Sequence, residues 1–359
     1  MDHANRIAVP GDPTIPNIPS GDVLEAGYRA LKDGAGVRLC SERTVIRMSG
    51  DDRASFLHGM CSNDINGLKP GSLVGALFLN ERAHLIAEGV VWATADALLL
   101  EMESVLWPAV RTHLERFLVA DDVEFEESAD SVKYGVIEVD GPRAAAAVVA
   151  VFGEAAALPG AWRFGEAEDG VLITQVVRWG APAFTILAPR ASAPEIVVRL
   201  AASGSGEGQI HEVTIDAREI VRVESGVARV GLDTNEKTIA LEARMESAIS
   251  FSKGCYIGQE TVERATARGA LKRRLFGLRI DGARIPAPGA RVTLAGKEVG
   301  YLTSPLRSPR LGMLALAVLH HSAWAPGTEV TIDDANGAMR ASVSELPFAD
   351  DPQTIESKK

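Results

Sequence analysis

From Arg274 to Phe348 no apolar run lasts long before a glycine or proline cuts it. The β-rich pieces are Leu275–Ile280, Arg291–Leu294, Glu298–Ser304, Gly312–Val318 and Glu329–Ile332. Around them stand Pro286, Pro288-Gly289, Gly296, Pro305, Pro309 and Pro326-Gly327. Proline fixes φ and lacks an N–H, and glycine reaches conformations that other residues avoid, so these positions end strands and turn the chain. Many short strands joined by such turns fold as a small sandwich or barrel.

Upstream the signals are mixed. Asp22–Gly34 has helical apolar spacing. Val37–Cys40 and Thr44–Met48 flank a polar Ser41-Glu42-Arg43 and predict a hairpin. Asp51 and Asp52 head a helix carrying Phe56, Leu57 and Met60. Leu73–Leu79, Leu85–Thr94 and Ala97–Met102 predict an antiparallel meander, and Val105–Leu118 an amphipathic helix over one of its faces. A strand over 132–139, an alanine-rich helix Arg143–Phe152, strands Val171–Val177 and Ala183–Ala188 and a helix Pro194–Ala202 follow. Ser203–Gly208 is the most linker-like stretch. Strands and helices in this order give an α+β chain, and 359 residues suffice for two or three cores.

Composition excludes several classes. No apolar run approaches the ~20 residues that span a bilayer, and Met1–Ser20, with its prolines, lacks the apolar core of a secretory signal and reads as a flexible lead-in. Cys40, Cys61 and Cys255 are too few and too scattered for a disulfide framework or a metal-ligand cluster, so no metal is expected and the reducing cytoplasm is the expected location. A net charge of −11 argues against a broad nucleic-acid surface.

The most informative stretch is Lys253-Gly254-Cys255-Tyr256-Ile257-Gly258-Gln259-Glu260. Its glycines allow positive φ and close backbone approach, so Cys255 and Tyr256 are expected on a sharp loop ahead of a helix Gln259–Arg268. A thiol beside a lysine and near a helix N-terminus is the setting of a reactive cysteine; a buried inert thiol is the alternative. Asp216–Glu224 predicts a helix stopping at Gly226, whose charged residues pattern alone would place in solvent. Arg264, Arg268, Lys272, Arg273 and Arg274 form a basic cluster, read either as a solvated face or as a landing site for a polyanion such as a polyglutamylated folate tail or RNA.

The octamer resembles the signature of the YgfZ family, folate-binding proteins that support iron–sulfur enzymes, among them enzymes of tRNA modification. That family is related to the T-protein of the glycine cleavage system, a tetrahydrofolate-dependent aminomethyltransferase. "SGDDRASFLHGMCSND", "AREIVRVESG" and "VGYLTSPLRSPRLGMLALAVL" resemble T-protein segments too, so the likeness runs from about Ser20 to Phe348. It implies a three-domain ring around a folate-sized channel. The lead-in would be 1–20, two interleaved α+β domains would take 21–50 with 132–230 and 51–131 with 231–273, a β-barrel 274–348, and a tail 349–359.

The resemblance also assigns roles. Glu224 would accept the paired donors on the pterin edge of tetrahydrofolate, with Arg218 in the same run also on the folate site, and Lys253 would meet the folate's glutamate tail. Cys255 would act as a thiolate with Tyr256 shaping its loop. Where the T-protein pattern has paired glycines and then paired aspartates, this chain has Ala83-His84 and Ala87-Glu88; Glu88 keeps one carboxylate, on a longer arm, and is expected on the folate site. His84, without a partner motif, reads as a surface residue. The expectation is therefore a folate-binding protein that assembles or repairs iron–sulfur clusters in client enzymes. The alternatives are a tetrahydrofolate-dependent one-carbon transferase, such as an aminomethyltransferase or demethylase, and a non-catalytic folate-binding module.

Overall fold

The structure is a computed structural model and describes residues 21–126, 133–154, 160, 162–204, 210–268 and 271–349. The expected lead-in, almost all of the tail and most of the Ser203–Gly208 linker lie outside the described residues. The chain forms two compact units: one runs to Arg218 and takes up Ser247–Gln259, the other comprises Glu219–Glu246 and the chain from Glu260 onward.

The first unit is built on two sheets. Strands β1 (Ala35–Leu39), β7 (Tyr134–Asp140), β8 (Phe164–Glu166), β9 (Leu172–Arg178), β10 (Ala181–Pro189) and β11 (Ile210–Glu212) form a six-stranded sheet in the order β11-β1-β7-β10-β9-β8. Helices α4 (Ala144–Phe152) and α5 (Ala193–Ala202) cover it, burying Ala147, Val148, Ile196 and Leu200 against Val37, Ile137, Phe184 and Ile186. Strands β2 (Arg43–Ser49), β3 (Ser72–Leu79), β4 (Leu85–Ala93), β5 (Leu98–Glu103) and β6 (Glu124–Glu126) form the second sheet, ordered β3-β4-β5-β2-β6, which contains the expected meander. One of its faces is closed by Phe56 and Leu57 of α2 (Arg53–Met60) and by Trp107, Val110 and Leu114 of α3 (Trp107–Glu115). Helix α1 (Gly21–Asp33) precedes β1, as its apolar spacing predicts.

The predicted hairpin between Val37–Cys40 and Thr44–Met48 does not form. β1 pairs with β7 and β11, whereas β2 pairs with β5 and β6. The chain leaves one sheet at Cys40, whose N–H donates to Val136 O at 2.8 Å, and enters the other at Arg43. Alternation identifies a strand but not its partner, and here each strand finds a longer ladder elsewhere. The crossing ties the sheets together: Cys40, Val136, Leu172 and Leu187 meet Val45, Leu73, Trp92 and Leu99 in a shared core.

In the second unit β12 (Arg273–Ile280), β13 (Arg291–Leu294), β14 (Lys297–Ser308), β15 (Gly312–His320), β16 (Glu329–Asp334) and β17 (Gly337–Ser344) close into a barrel, β12-β15-β14-β13-β16-β17. Leu278, Leu302, Ala317, Leu319 and Ile332 fill it. β17 has too many small and polar residues to stand out in the sequence, yet it closes the cylinder by pairing with β12 and β16. β14 continues past Pro305 because β13 pairs with it only between Lys297 and Tyr301, so at the proline one side of the strand has no ladder left to break. The remaining α-helices among the described residues are α6 (Ile215–Glu224) and α7 (Gln259–Arg268).

Candidate functional site

The loop carrying the octamer is strapped to the C-terminal end of α2. Ser250 N–H donates to Ser62 O (2.9 Å), Ser62 Oγ to Ala248 O (2.6 Å) and Ile257 N–H to Gly59 O (3.2 Å). Lys253 drives the attachment. Its Nζ donates to the carbonyls of Cys61 and Asn63, both at 2.8 Å, and to that of His58. The last carbonyls of a helix lack intrahelical partners and carry the negative end of its dipole, so an ammonium is the group that end calls for. All three donors of the ammonium are engaged, and a folate-tail carboxylate could meet it only by releasing this cap. The same Nζ lies 5.1 Å from the centroid of the buried Tyr256 ring, a cation–π contact that fixes the ring beneath the loop.

The two glycines differ. Gly258 has φ +88°, and a Cβ there would stand 2.8 Å from Asn80 O and 3.0 Å from Ala83 Cα, so only glycine lets the loop lie on the β3–β4 turn. Gly254 is not in the left-handed region, and a Cβ on it would lie 3.9 Å from His58 Nε2, an ordinary contact, so neither backbone angle nor space demands glycine there. On the β3–β4 turn, Ala83 is buried at φ +61°, a conformation glycine takes freely and alanine does not.

The three thiols divide by exposure. Cys255 is exposed, whereas Cys40 and Cys61 are buried and unoxidised. Burial pushes the Cys61 thiol up to about 11 despite the nearby Lys253, and drives Cys40 well above its ordinary value. Both stay protonated and inert at neutral pH, which leaves Cys255 as the thiol that solution chemistry can reach.

Glu224 ends α6 in the second unit. It is 3% exposed; its Oε1 accepts a hydrogen bond from Ser308 Oγ at 2.5 Å, and its main-chain oxygen accepts from Phe348 N–H. Two residues earlier, Arg222 donates to Asp233 Oδ2 (2.6 Å) and Ser304 Oγ (2.9 Å), an anchor that solvent patterning did not reveal. Arg218, in the first unit, forks onto Glu138 at 2.8 and 3.1 Å and lies 5.0 Å from the Trp179 ring. Burial alone would raise the Glu138 carboxyl, but Arg178, Arg218, Arg43 and Arg38 outweigh it and hold the group well below the carboxylate range. Its sequence signal was faint: two carboxylates, Glu138 and Asp140, alternating with the apolar residues of β7.

Glu88 is half-buried on β4 opposite Leu77 of β3. His84 is half-buried, its N–H held by Asn80 Oδ1 at 3.0 Å. The basic cluster is largely neutralised: Arg264 pairs with Glu260, Arg273 with Glu242 and Arg274 with Glu246. Thus Lys253, Cys255 and Tyr256 share one loop of the first unit, Arg218 belongs to the buried Glu138 cluster, and Glu224 lies in the other unit. Among the described residues no three His, Cys, Asp or Glu gather as a metal site, and no helix is long and apolar enough to cross a membrane.

Two α+β sheets followed by a closed six-stranded barrel define the T-protein fold class. The chain belongs to the glycine cleavage T-protein family: the GCVT N-terminal domain profile matches residues 17–253, and the glycine cleavage T-protein C-terminal barrel domain matches 273–350. It is 28% identical over 337 residues to a chloroplastic protein of Arabidopsis thaliana named only as a transferase, covering 92% of this chain and 75% of that one. It is 25% identical over 330 residues to the aminomethyltransferase of Rubrobacter xylanophilus, covering 90% and 86%. The crystal structure of aminomethyltransferase T from Bartonella henselae superposes with a TM-score of 0.78 at 22% identity, covering 91% of this chain and 90% of that one.

Proposed function

We propose that this protein binds tetrahydrofolate and, as a YgfZ-type factor, supports the assembly or repair of iron–sulfur clusters in client enzymes. The observation that carries the reading is Cys255: it is the exposed thiol of the three, on a loop strapped to α2 through Lys253. A loop fixed by a three-bond cap is built to present something, and what it presents is a thiol.

Glu224 suits the folate. The pterin edge offers an N–H and an exocyclic amine side by side, and a buried carboxylate accepts both. When bound, the folate supplies a one-carbon carrier. Glu224 orients it, Ser308 steadies the carboxylate, Lys253 sets the loop and Tyr256 supports it from below. Arg218 enters as the partner of Glu138, at one remove from the ligand. Glu88 stands where the T-protein pattern has an aspartate, and its longer arm displaces the carboxylate by about a bond length, enough to impair acid–base placement.

A second reading, a tetrahydrofolate-dependent one-carbon transferase, is favoured by the names of the relatives. Titration calorimetry with tetrahydrofolate tests the shared part: Glu224→Ala should weaken binding by ten- to a hundredfold, and an unchanged affinity removes Glu224 from the site. Complementation separates the readings. A deletion strain should lose iron–sulfur enzyme activity and regain it with the wild type but not with Cys255→Ala. Robust aminomethyl transfer by the purified protein, indifferent to Cys255→Ala, would favour the transferase.

A further inference from the structure

A second feature of the first unit is a cleft at one end of the six-stranded sheet. β10 ends there at Pro189, opposite Tyr134 at the start of β7. β9 begins there with Leu172, opposite Leu187 of β10 and Glu166 at the end of β8. Four strand termini thus meet, and the segments leaving them border a cleft of about 670 Å³, the size of a small-molecule site. Lys133, Tyr134, Pro189 and Arg190 line it from the β7–β10 side, and Asp169 and Gly170 from the turn between β8 and β9.

The charges around this cleft are arranged but not answered. Arg190 N–H donates to Lys133 O at 2.8 Å, so the ladder runs one step past Pro189 and sets Arg190 across from Lys133. Like charges directly opposite on paired strands are destabilising. Lys133 has one acidic neighbour, Glu126, at 3.8 Å, and that carboxylate also serves Arg47. Arg190 has no ion pair among the described residues. Asp169 supplies the opposite charge from the β8–β9 turn, yet no ion pair joins it to either cation. Asp169 and Gly170 stand at φ +60° and +73°, and a Cβ on Gly170 would meet nothing within 4 Å, so the turn holds the carboxylate beside open space. Tyr134 is half-buried, and its phenol has no hydrogen-bond partner among the described residues.

We propose that this cleft binds a sugar phosphate, the phosphate on Lys133 and Arg190, the hydroxyls on Asp169, and the carbon face of the sugar on the Tyr134 ring. A phosphate dianion satisfies two cations at once, and the guanidinium fork adds direction to charge. An ionised carboxylate only accepts hydrogen bonds, so beside an anionic ligand Asp169 must meet donors, and hydroxyls are the donors a sugar offers. The Tyr134 ring and Pro189 give the ligand an apolar wall, with the phenol as a polar handle at its edge. The same chemistry belongs to a free pentose phosphate and to a nucleotide. The proposal uses neither folate nor Cys255, and it stands or falls apart from them.

The test is titration calorimetry on the full-length chain at about 150 mM salt, where loose surface attraction is screened. The probes are ribose 5-phosphate, AMP, inorganic phosphate and unphosphorylated ribose. Ribose 5-phosphate should bind saturably and at least roughly tenfold more tightly than ribose or inorganic phosphate, since neither alone engages both sides of the cleft. Lys133→Met and Arg190→Met should each weaken it about tenfold, the loss of one charged hydrogen bond. Asp169→Asn should weaken ribose 5-phosphate while leaving inorganic phosphate no weaker, a split that damage to the fold would not produce. All three side chains are exposed, so the variants should stay folded, which circular dichroism checks. AMP binding as tightly as ribose 5-phosphate would support the site and assign it to nucleotides; a much weaker AMP would support it and assign it to free sugar phosphates. No saturable heat from either phosphorylated sugar would overturn the proposal without any variant. So would binding that Lys133→Met and Arg190→Met leave unchanged, or inorganic phosphate binding as tightly as ribose 5-phosphate.

Discussion

Replacing Lys253 with methionine removes the ammonium and keeps the length of the stem, so its effect isolates the cap on α2. Three charge-assisted hydrogen bonds to carbonyls are lost. In a fully desolvated site each would contribute about 1.5–3 kcal/mol. This side chain is only half-buried, and water recovers much of that, so the net loss should be about 2–3 kcal/mol in total. It falls on local opening of the strap rather than on the sheets. Hydrogen exchange reads it at the Ser250 and Ile257 amides, which bond Ser62 O and Gly59 O. Their protection should fall roughly 30- to 150-fold, while amides within β4 and β10 keep theirs. Lys253→Arg should recover only part of it, since a planar fork cannot aim at three carbonyls around a point. Protection unchanged within about threefold in Lys253→Met would refute the cap. A folate affinity that rises with each added glutamate in wild type but not in Lys253→Met, with protection intact in the variant, would return the residue to the ligand tail.

Three further outcomes follow from the same geometry. Gly258→Ala should destabilise the first unit by at least about 2 kcal/mol in urea unfolding, from the φ of +88° and a methyl 2.8 Å from Asn80 O; a change under 0.5 kcal/mol would contradict the close approach. Arg218→Met should lower stability at pH 7 by about 3 kcal/mol by stripping a buried carboxylate of its forked partner, and the deficit should shrink in acid as Glu138 takes up a proton. Because the folded Cys61 thiol titrates near 11 and the unfolded one near 9.0, its contribution is intact below pH 9 and lost as pH rises towards 11, on the order of 2–3 kcal/mol. Cys61→Ala should flatten that part of the alkaline stability curve.

Much of the architecture was legible because it is written in local chemistry. The barrel follows from Pro288-Gly289 and Pro326-Gly327 cutting β-rich runs, and the meander from strand-length apolar runs separated by the polar turns Asn80-Glu81-Arg82 and Ala95-Asp96. What escaped was pairing at a distance. Nothing within Val37–Met48 says that β1 waits for β7 and β2 for β5. The site divided in the same way. Cys255 and Tyr256 are conspicuous as a motif, but Lys253 looked like a free cation because its acceptors are main-chain oxygens of residues that carry no sign of it. By pattern alone Arg222 and Arg218 read as solvated charge, and the resemblance put Arg218 on the folate site, because Asp233, Ser304 and Glu138 lie far off in sequence.

The cap on α2 joins residues 195 positions apart. On a ribosome the helix emerges early, and the meander that follows it can pair within its own length. The carbonyls of His58, Cys61 and Asn63, however, have no ammonium to meet until Lys253 has been translated, by which time every strand of both sheets has emerged. A nascent or truncated chain can therefore hold folded sheets and still lack the loop. The thiol is displayed last, so its presentation doubles as a report that the unit beneath it is complete.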